Sequence, residues 1–156
     1  DYAHRRKVVH RDIKPSNILY EPSSGAVKVT DFGVASLTDD RKTRTGAVLG
    51  SPAYMSPEQI AGRRLDGRSD VFSLGVTLYQ LLTGKLPFDG DSLATVSYRI
   101  VQERHVPVSK LRKGLPACAG RIVNKALQKD PAKRYASGAE MAEALRRCHG
   151  RRVRRP

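Results

Sequence analysis

Along residues 71–82, the side chains of Val71, Phe72, Leu74, Val76, Leu78, Tyr79, Leu81 and Leu82 fall around a whole helix circumference. They do not follow one stripe. A helix that is apolar on every side has to be buried on every side, so the remaining elements must be arranged around it. Gly84 follows as its C-cap. Further helices are expected to start near Ser92, near Pro116 and at Ser137, where Ser137 and Glu140 form an S-x-x-E capping box ahead of Met141 and Leu145. The run is interrupted by Ser73, Gly75, Thr77 and Gln80 and falls short of the roughly 20 residues needed to cross a bilayer.

The first third reads differently. Tyr2 and Ala3 precede the basic His4, Arg5, Arg6 and Lys7, as at the C-terminal end of a helix. Residues 18–20 and 26–29 are short apolar, β-branched runs separated by Glu21, Pro22, Ser23, Ser24 and Gly25, which is a hairpin signal. Residues 31–58 show no sustained apolar period and many hydroxyls and charges, the composition of a functional loop. The fold class expected is therefore mainly α with a small β-hairpin. With 156 residues, 39% hydrophobic and 28% charged, the chain amounts to one soluble domain or less.

The formal charge is +14, but six arginines (146, 147, 151, 152, 154 and 155) stand in an acid-free C-terminal stretch, and without them +8 remains. Residues 149–156 are read as a basic, disordered tail, and 1–148 as the folded part. Such a balance suits phosphate-rich, nucleic-acid or anionic-surface partners without choosing among them. Cys118 and Cys148 show no C-x-x-C spacing and suggest neither a disulfide framework nor a zinc site, so a reducing compartment is expected. Residues 1–7 are polar and lack the apolar run of a signal peptide, and the start reads as a cut.

The chemistry is concentrated in His10-Arg11-Asp12-Ile13-Lys14-Pro15-Ser16-Asn17 and, after the hairpin, Asp31-Phe32-Gly33. Antiparallel strands bring Asn17, before the first, and Asp31, after the second, to the same open end. Two hard oxygen ligands then converge, which suits Mg²⁺ completed by water and substrate phosphates. Asp12 is placed to act on a hydroxyl as a base, and Lys14 to neutralise a phosphoryl group.

These motifs resemble those of the eukaryotic-like protein kinases, H-R-D-x-x-x-x-N and D-F-G. The resemblance continues through Gly50-Ser51-Pro52-Ala53-Tyr54-Met55-Ser56-Pro57-Glu58, Asp70-Val71-Phe72-Ser73-Leu74-Gly75 and Lys129-Asp130-Pro131-Ala132-Lys133-Arg134-Tyr135, from residue 1 to about 148. Its style is that of bacterial serine/threonine kinases, and Lys14, two residues after Asp12, is the Ser/Thr pattern. It implies the C-terminal lobe of the kinase fold, transfer of the ATP γ-phosphate to protein Ser/Thr hydroxyls, and use of ATP with Mg²⁺ or Mn²⁺. By position it implies Asp12 as catalytic base, Lys14 on the transferred phosphate, Asn17 and Asp31 as metal ligands, and Leu19 as the floor under adenine. His10 and Phe32 are implied as structural. Arg11 resembles the arginine that binds a phosphorylated activation segment, here residues 31–58.

In that segment Thr43 and Thr45 are the expected phosphosites beside Arg41, Lys42 and Arg44, with Thr38 the weaker candidate. Ser51 stands where the family usually has threonine and keeps a hydroxyl for Asp12. Ser56 and Phe72 are similar departures. Glu58 and Arg134 match the family's buried ion pair, and Asp70 is expected to cap the central helix and hold the catalytic loop. Residues 62–69 approach a phosphate-binding P-loop but put Arg68 where lysine is required and follow no strand. His4, His105 and His149 lack ligand spacing and are expected at the surface.

No two glycines stand two residues apart, so no G-x-G-x-x-G loop is present in the 156 residues, and the resemblance implies a separate N-terminal lobe as partner. Alternative readings are a non-catalytic kinase-like binding module and an Arg-tail nucleic-acid binder. No specific nucleic acid and no membrane span are expected, and the location expected is cytoplasmic, or the cytoplasmic membrane face if a parent chain carries an anchor.

Overall fold

The computed structural model describes residues 1–32 and 52–153, the last three by backbone alone. Gly33, Thr38, Thr43, Thr45, Ser51 and most of the expected activation segment lie outside the described residues. The chain opens with the short helix α1 (Tyr2–Arg5) and runs through residues 6–17 into a hairpin of β1 (Ile18–Glu21) and β2 (Ala26–Val29). Helices α2 (Pro57–Ile60), α3 (Gly67–Thr83), α4 (Leu93–Gln102), α5 (Val108–Leu111), α6 (Ala117–Ala126) and α7 (Gly138–Val153) follow. Among the described residues the architecture is helical with one antiparallel strand pair, in the register Ile18↔Val29 to Glu21↔Ala26.

Helix α3 is the central rod. Val71, Phe72 and Val76 are fully buried, and around them two apolar clusters form. One joins Phe72, Val76 and Tyr79 to Phe88, Val96, Ile100, Val108 and Val123. The other joins Val71 to Ala119, Ile122, Ala126, Tyr135 and Met141. At Gly75 a Cβ would stand 2.8 Å from that of Ala126, so only glycine lets α3 and α6 pack at this distance. At the far end Gly84 takes the left-handed conformation (φ 72°) and donates its N–H to the Gln80 carbonyl, closing the helix.

Burial on every side holds for most of α3 but not its last turns. Leu81 is 70% exposed, while Leu82 beside it packs against both apolar clusters, so one side of this end is open. The helix is capped by Asp66, whose carboxylate accepts the Arg68 N–H at 2.8 Å, and not by Asp70. Asp70 sits one turn further in, which frees its carboxylate for another use.

Three other expectations change. Helix α7 runs to Val153, so residues 149–153 continue a helix where a disordered tail is expected. At its start only half of the S-x-x-E box forms: Ser137 Oγ accepts the Glu140 N–H, but the Glu140 carboxylate reaches Ala136 N and Lys125 Nζ. Cys118 and Cys148, whose spacing suggests no disulfide framework, are joined in a disulfide between α6 and α7. Thirty residues of separation carry no local signature of such a pair.

His105 is half-buried, hydrogen-bonded to Asn124 Oδ1 at 2.8 Å and edge-on to Tyr79 and Phe88, and burial pushes its pKa down. Lys129 stands 3.8 Å over the Phe88 ring and donates to the Arg99 and Ile100 carbonyls at the end of α4. Burial, followed by the charge of Arg134, pulls its pKa down to about 8.

Candidate active site

Asp70 is the anchor of the loop that precedes the hairpin. One carboxylate oxygen accepts the His10 N–H at 2.8 Å and the other the Arg11 N–H at 2.9 Å. Arg11 holds φ at 70°, a left-handed conformation uncommon outside glycine and costly unless its surroundings enforce it. Two bonds enforce it here: Asp70 takes its N–H, and Gln59 Nε2 donates to its carbonyl at 2.8 Å. Gln59 is itself fixed by the capping box with Ser56 that starts α2.

His10 is buried and locks the loop to the hairpin. Its Nε2 donates to the Thr30 carbonyl at 2.8 Å, so the hydrogen is on Nε2 and Nδ1 accepts the Asp12 N–H at 3.3 Å. Its ring packs against Phe32, with centroids 4.6 Å apart. His10 and Phe32 thereby tie the segments before and after the hairpin together.

This framework presents Asp12. Asn17 Nδ2 donates to both its carbonyl and its Oδ2 at 2.9 Å, and Lys14 Nζ lies 2.8 Å from the same Oδ2. Both partners use one oxygen, and among the described residues Oδ1 is left to meet a ligand. The Asn17 amide nitrogen is committed to Asp12, so its oxygen is the atom available to a cation.

Asn17 and Asp31 do come to the same end of the hairpin. Ile18 pairs with Val29, and Thr30 donates its N–H to the Asn17 carbonyl at 2.9 Å, which sets Asp31 next to the Asn17 end. Asp31 is exposed, with φ at 59°, and accepts from Thr30 Oγ1. Among the described residues no three His, Cys, Asp or Glu side chains gather as a metal-binding group. A cation here would rest on one amide oxygen and one carboxylate and take its other ligands from substrate and water, the arrangement Mg²⁺ favours. Leu19 is 56% exposed on β1, an open apolar surface beside these groups.

Behind the site, Glu58 and Arg134 form a bidentate pair at 2.6 and 2.7 Å. Ser69 Oγ donates to the same Glu58 carboxylate at 2.7 Å, and Arg134 also donates to the Gln128, Arg68 and Lys129 carbonyls. Burial alone would raise the Glu58 pKa. The hydrogen bonds from Arg134 and Ser69, with the guanidinium charge, outweigh it and leave the carboxyl below its ordinary value.

Three contributors are not evident from sequence. Ser69 looks like a helix-start residue, and its bond to Glu58 has no local cue. Gln59 is not among the expected site residues; the S-x-x-Q spacing from Ser56 is the local signal that points to its capping role, but its second bond, to Arg11, has none. His4, expected at the surface, donates from Nε2 to Asp70 at 2.7 Å, 66 residues away, with Asp1 3.7 Å from its other nitrogen.

A family model described as the protein kinase domain matches residues 1–149. Among curated proteins, the chain is 45% identical over 152 residues to serine/threonine-protein kinase PknB of Mycobacterium tuberculosis, covering 96% of this chain and 24% of that protein. It is 44% identical over 151 residues to the PknB of Mycobacterium leprae, with 96% and 24% covered. It is 42% identical over 140 residues to a probable serine/threonine-protein kinase of Clostridium perfringens, with 89% and 20% covered. The chain thus spans about a quarter of the length of the curated relatives it matches.

Proposed function

The chain belongs to the protein kinase domain family, and from that premise we propose that it is the substrate-receiving lobe of a serine/threonine protein kinase. The observation that carries this reading is the arrangement at Asp12. Its backbone is held through Asp70 and His10, and two donors sit on Oδ2. A binding module has no chemical need for that construction.

In the proposed reaction a protein Ser or Thr hydroxyl approaches Asp12 Oδ1. The hydroxyl oxygen bonds to the γ-phosphorus of ATP as the bond from that phosphorus to the β,γ-bridging oxygen breaks. The hydroxyl proton passes to Asp12, and ADP leaves. Asn17 keeps the carboxylate oriented, and Lys14, next to it, offers positive charge to the transferred group. Asn17 and Asp31 would hold Mg²⁺ or Mn²⁺, which when bound neutralises phosphate charge. Leu19 would lie under adenine. The 156 residues contain no G-x-G-x-x-G loop, so we assign the cover over the phosphates to a partner N-terminal lobe.

Protein substrates bearing Ser or Thr follow from the same reading. Because it consumes ATP, we place the activity in the cytoplasm, or at the cytoplasmic face of a membrane if a parent chain carries an anchor. Among the described residues no helix is long and apolar enough to cross a membrane.

The test is transfer of radiolabelled phosphate from ATP to a generic Ser/Thr protein by this chain joined to a kinase N-terminal lobe. Transfer that Asp12→Asn abolishes supports the assignment. Transfer undiminished by Asp12→Asn refutes the role of Asp12, and a folded, ATP-binding protein with no transfer favours the binding-module reading. The 156 residues alone should transfer at a negligible rate, because positioning and charge neutralisation around the phosphates are then half built.

A further inference from the structure

We infer that Cys118 and Cys148 form a reversible redox site, opened and closed by small thiols and disulfides, that sets how firmly the end of α7 is held to α6. The bond is not the whole contact between these helices: Ala119, Ile122, Ala126 and Met141 share an apolar cluster with Cys148. The bond instead lies at one edge. Cys118 is the second residue of α6, and Cys148, 7% exposed, is the last buried residue described on α7. His149 and Gly150 beyond it are exposed, as are Arg146 and Arg147 before it. Among the described side chains the disulfide is therefore the last tertiary attachment of a helix end whose sequence carries Arg146, Arg147, Arg151 and Arg152.

Two features suit the pair to exchange. Cys118 is half-buried and so more accessible than Cys148. It also stands in the first turn of a ten-residue helix, where the unpaired N–H groups favour an anionic sulfur both as nucleophile and as leaving group. For opening, a small thiolate RS⁻ attacks the more accessible Cys118 sulfur and expels the Cys148 thiolate, leaving Cys118–S–S–R. A second RS⁻ attacks the sulfur of that R group, expels the Cys118 thiolate and releases RSSR. Two protons complete the pair of thiols, and RSH is oxidised as the protein disulfide is reduced. Closing is the reverse, with a low-molecular-weight disulfide as oxidant.

The experiment is hydrogen exchange on the 156-residue chain in glutathione buffers of graded ratio, with alkylation and intact mass reporting the thiols in parallel. The expected result is a single two-electron transition, from no alkylated cysteines to two. Across it, amides of residues 146–153 should exchange about tenfold faster, while those of residues 70–79 stay unchanged. The double variant Cys118→Ser with Cys148→Ser should show the fast exchange at every ratio. Two free thiols at the most oxidising ratio would overturn the inference. So would a disulfide that no glutathione ratio opens, or exchange at 146–153 that is the same in both states. The wild-type titration decides between these without any variant.

Discussion

Asn17 donates both hydrogens of its side-chain amide to Asp12, one to the carbonyl and one to the carboxylate, each at 2.9 Å. One residue thus orients the candidate base and, through its remaining oxygen, faces the place where a cation would sit. Asn17→Leu should consequently damage two properties at once. In the chain completed by an N-terminal lobe, kcat should fall by about 10²-fold or more and the Mg²⁺ requirement should rise. Asp12→Asn should lower kcat by a similar factor and spare ATP binding. Steady-state kinetics against Mg²⁺ separate the two, and identical metal dependence in both variants would remove Asn17 from the ligand set.

Asp31 touches the site from the other side of the hairpin and makes no bond to Asp12. Asp31→Ala should weaken Mg²⁺-dependent nucleotide binding, measured calorimetrically, with little change in binding measured without metal. Equal losses with and without Mg²⁺ would mean that the carboxylate acts on something other than a cation.

Thr43 and Thr45 are expected to carry the regulatory phosphate, which would pair with Arg11 and the neighbouring Arg41, Lys42 and Arg44. Thr43→Ala combined with Thr45→Ala should leave the completed kinase poorly active and remove the main phosphopeptide from its mass spectrum. Full activity with unchanged phosphorylation would contradict this.

Glu58 links stability to pH. Its folded-state pKa lies below the ordinary 4.5, so the unfolded chain binds the proton more readily. The stabilisation is complete above about pH 4.5 and is lost as pH falls through the lower folded value. Urea denaturation from pH 6 to 3 should show this decline, and Glu58→Gln should flatten it. At pH 7 the same variant should cost about 3–5 kcal/mol, because Arg134 is left buried without its countercharge.

Short-range patterns in the sequence were enough to locate the hairpin, the central helix with its Gly84 stop, and the helices after Ser92, Pro116 and Ser137. Each depends on neighbours within about four residues, through alternation, helical period or capping. They also sufficed to place Asn17 and Asp31 at one end of a strand pair. What the sequence left open depends on contacts between distant segments. His4 meets Asp70 across 66 residues, Gln59 meets Arg11 across 48, and Cys118 meets Cys148 across 30. Asp70 and Asp66 are alike to any local rule, and only the approach of the loop before the hairpin makes one an anchor and leaves the other as the cap. Leu81 carries the same apolar signal as Tyr79 and yet is open, because burial is decided by which neighbour arrives at each side of the helix, and periodicity records only the helix's own geometry.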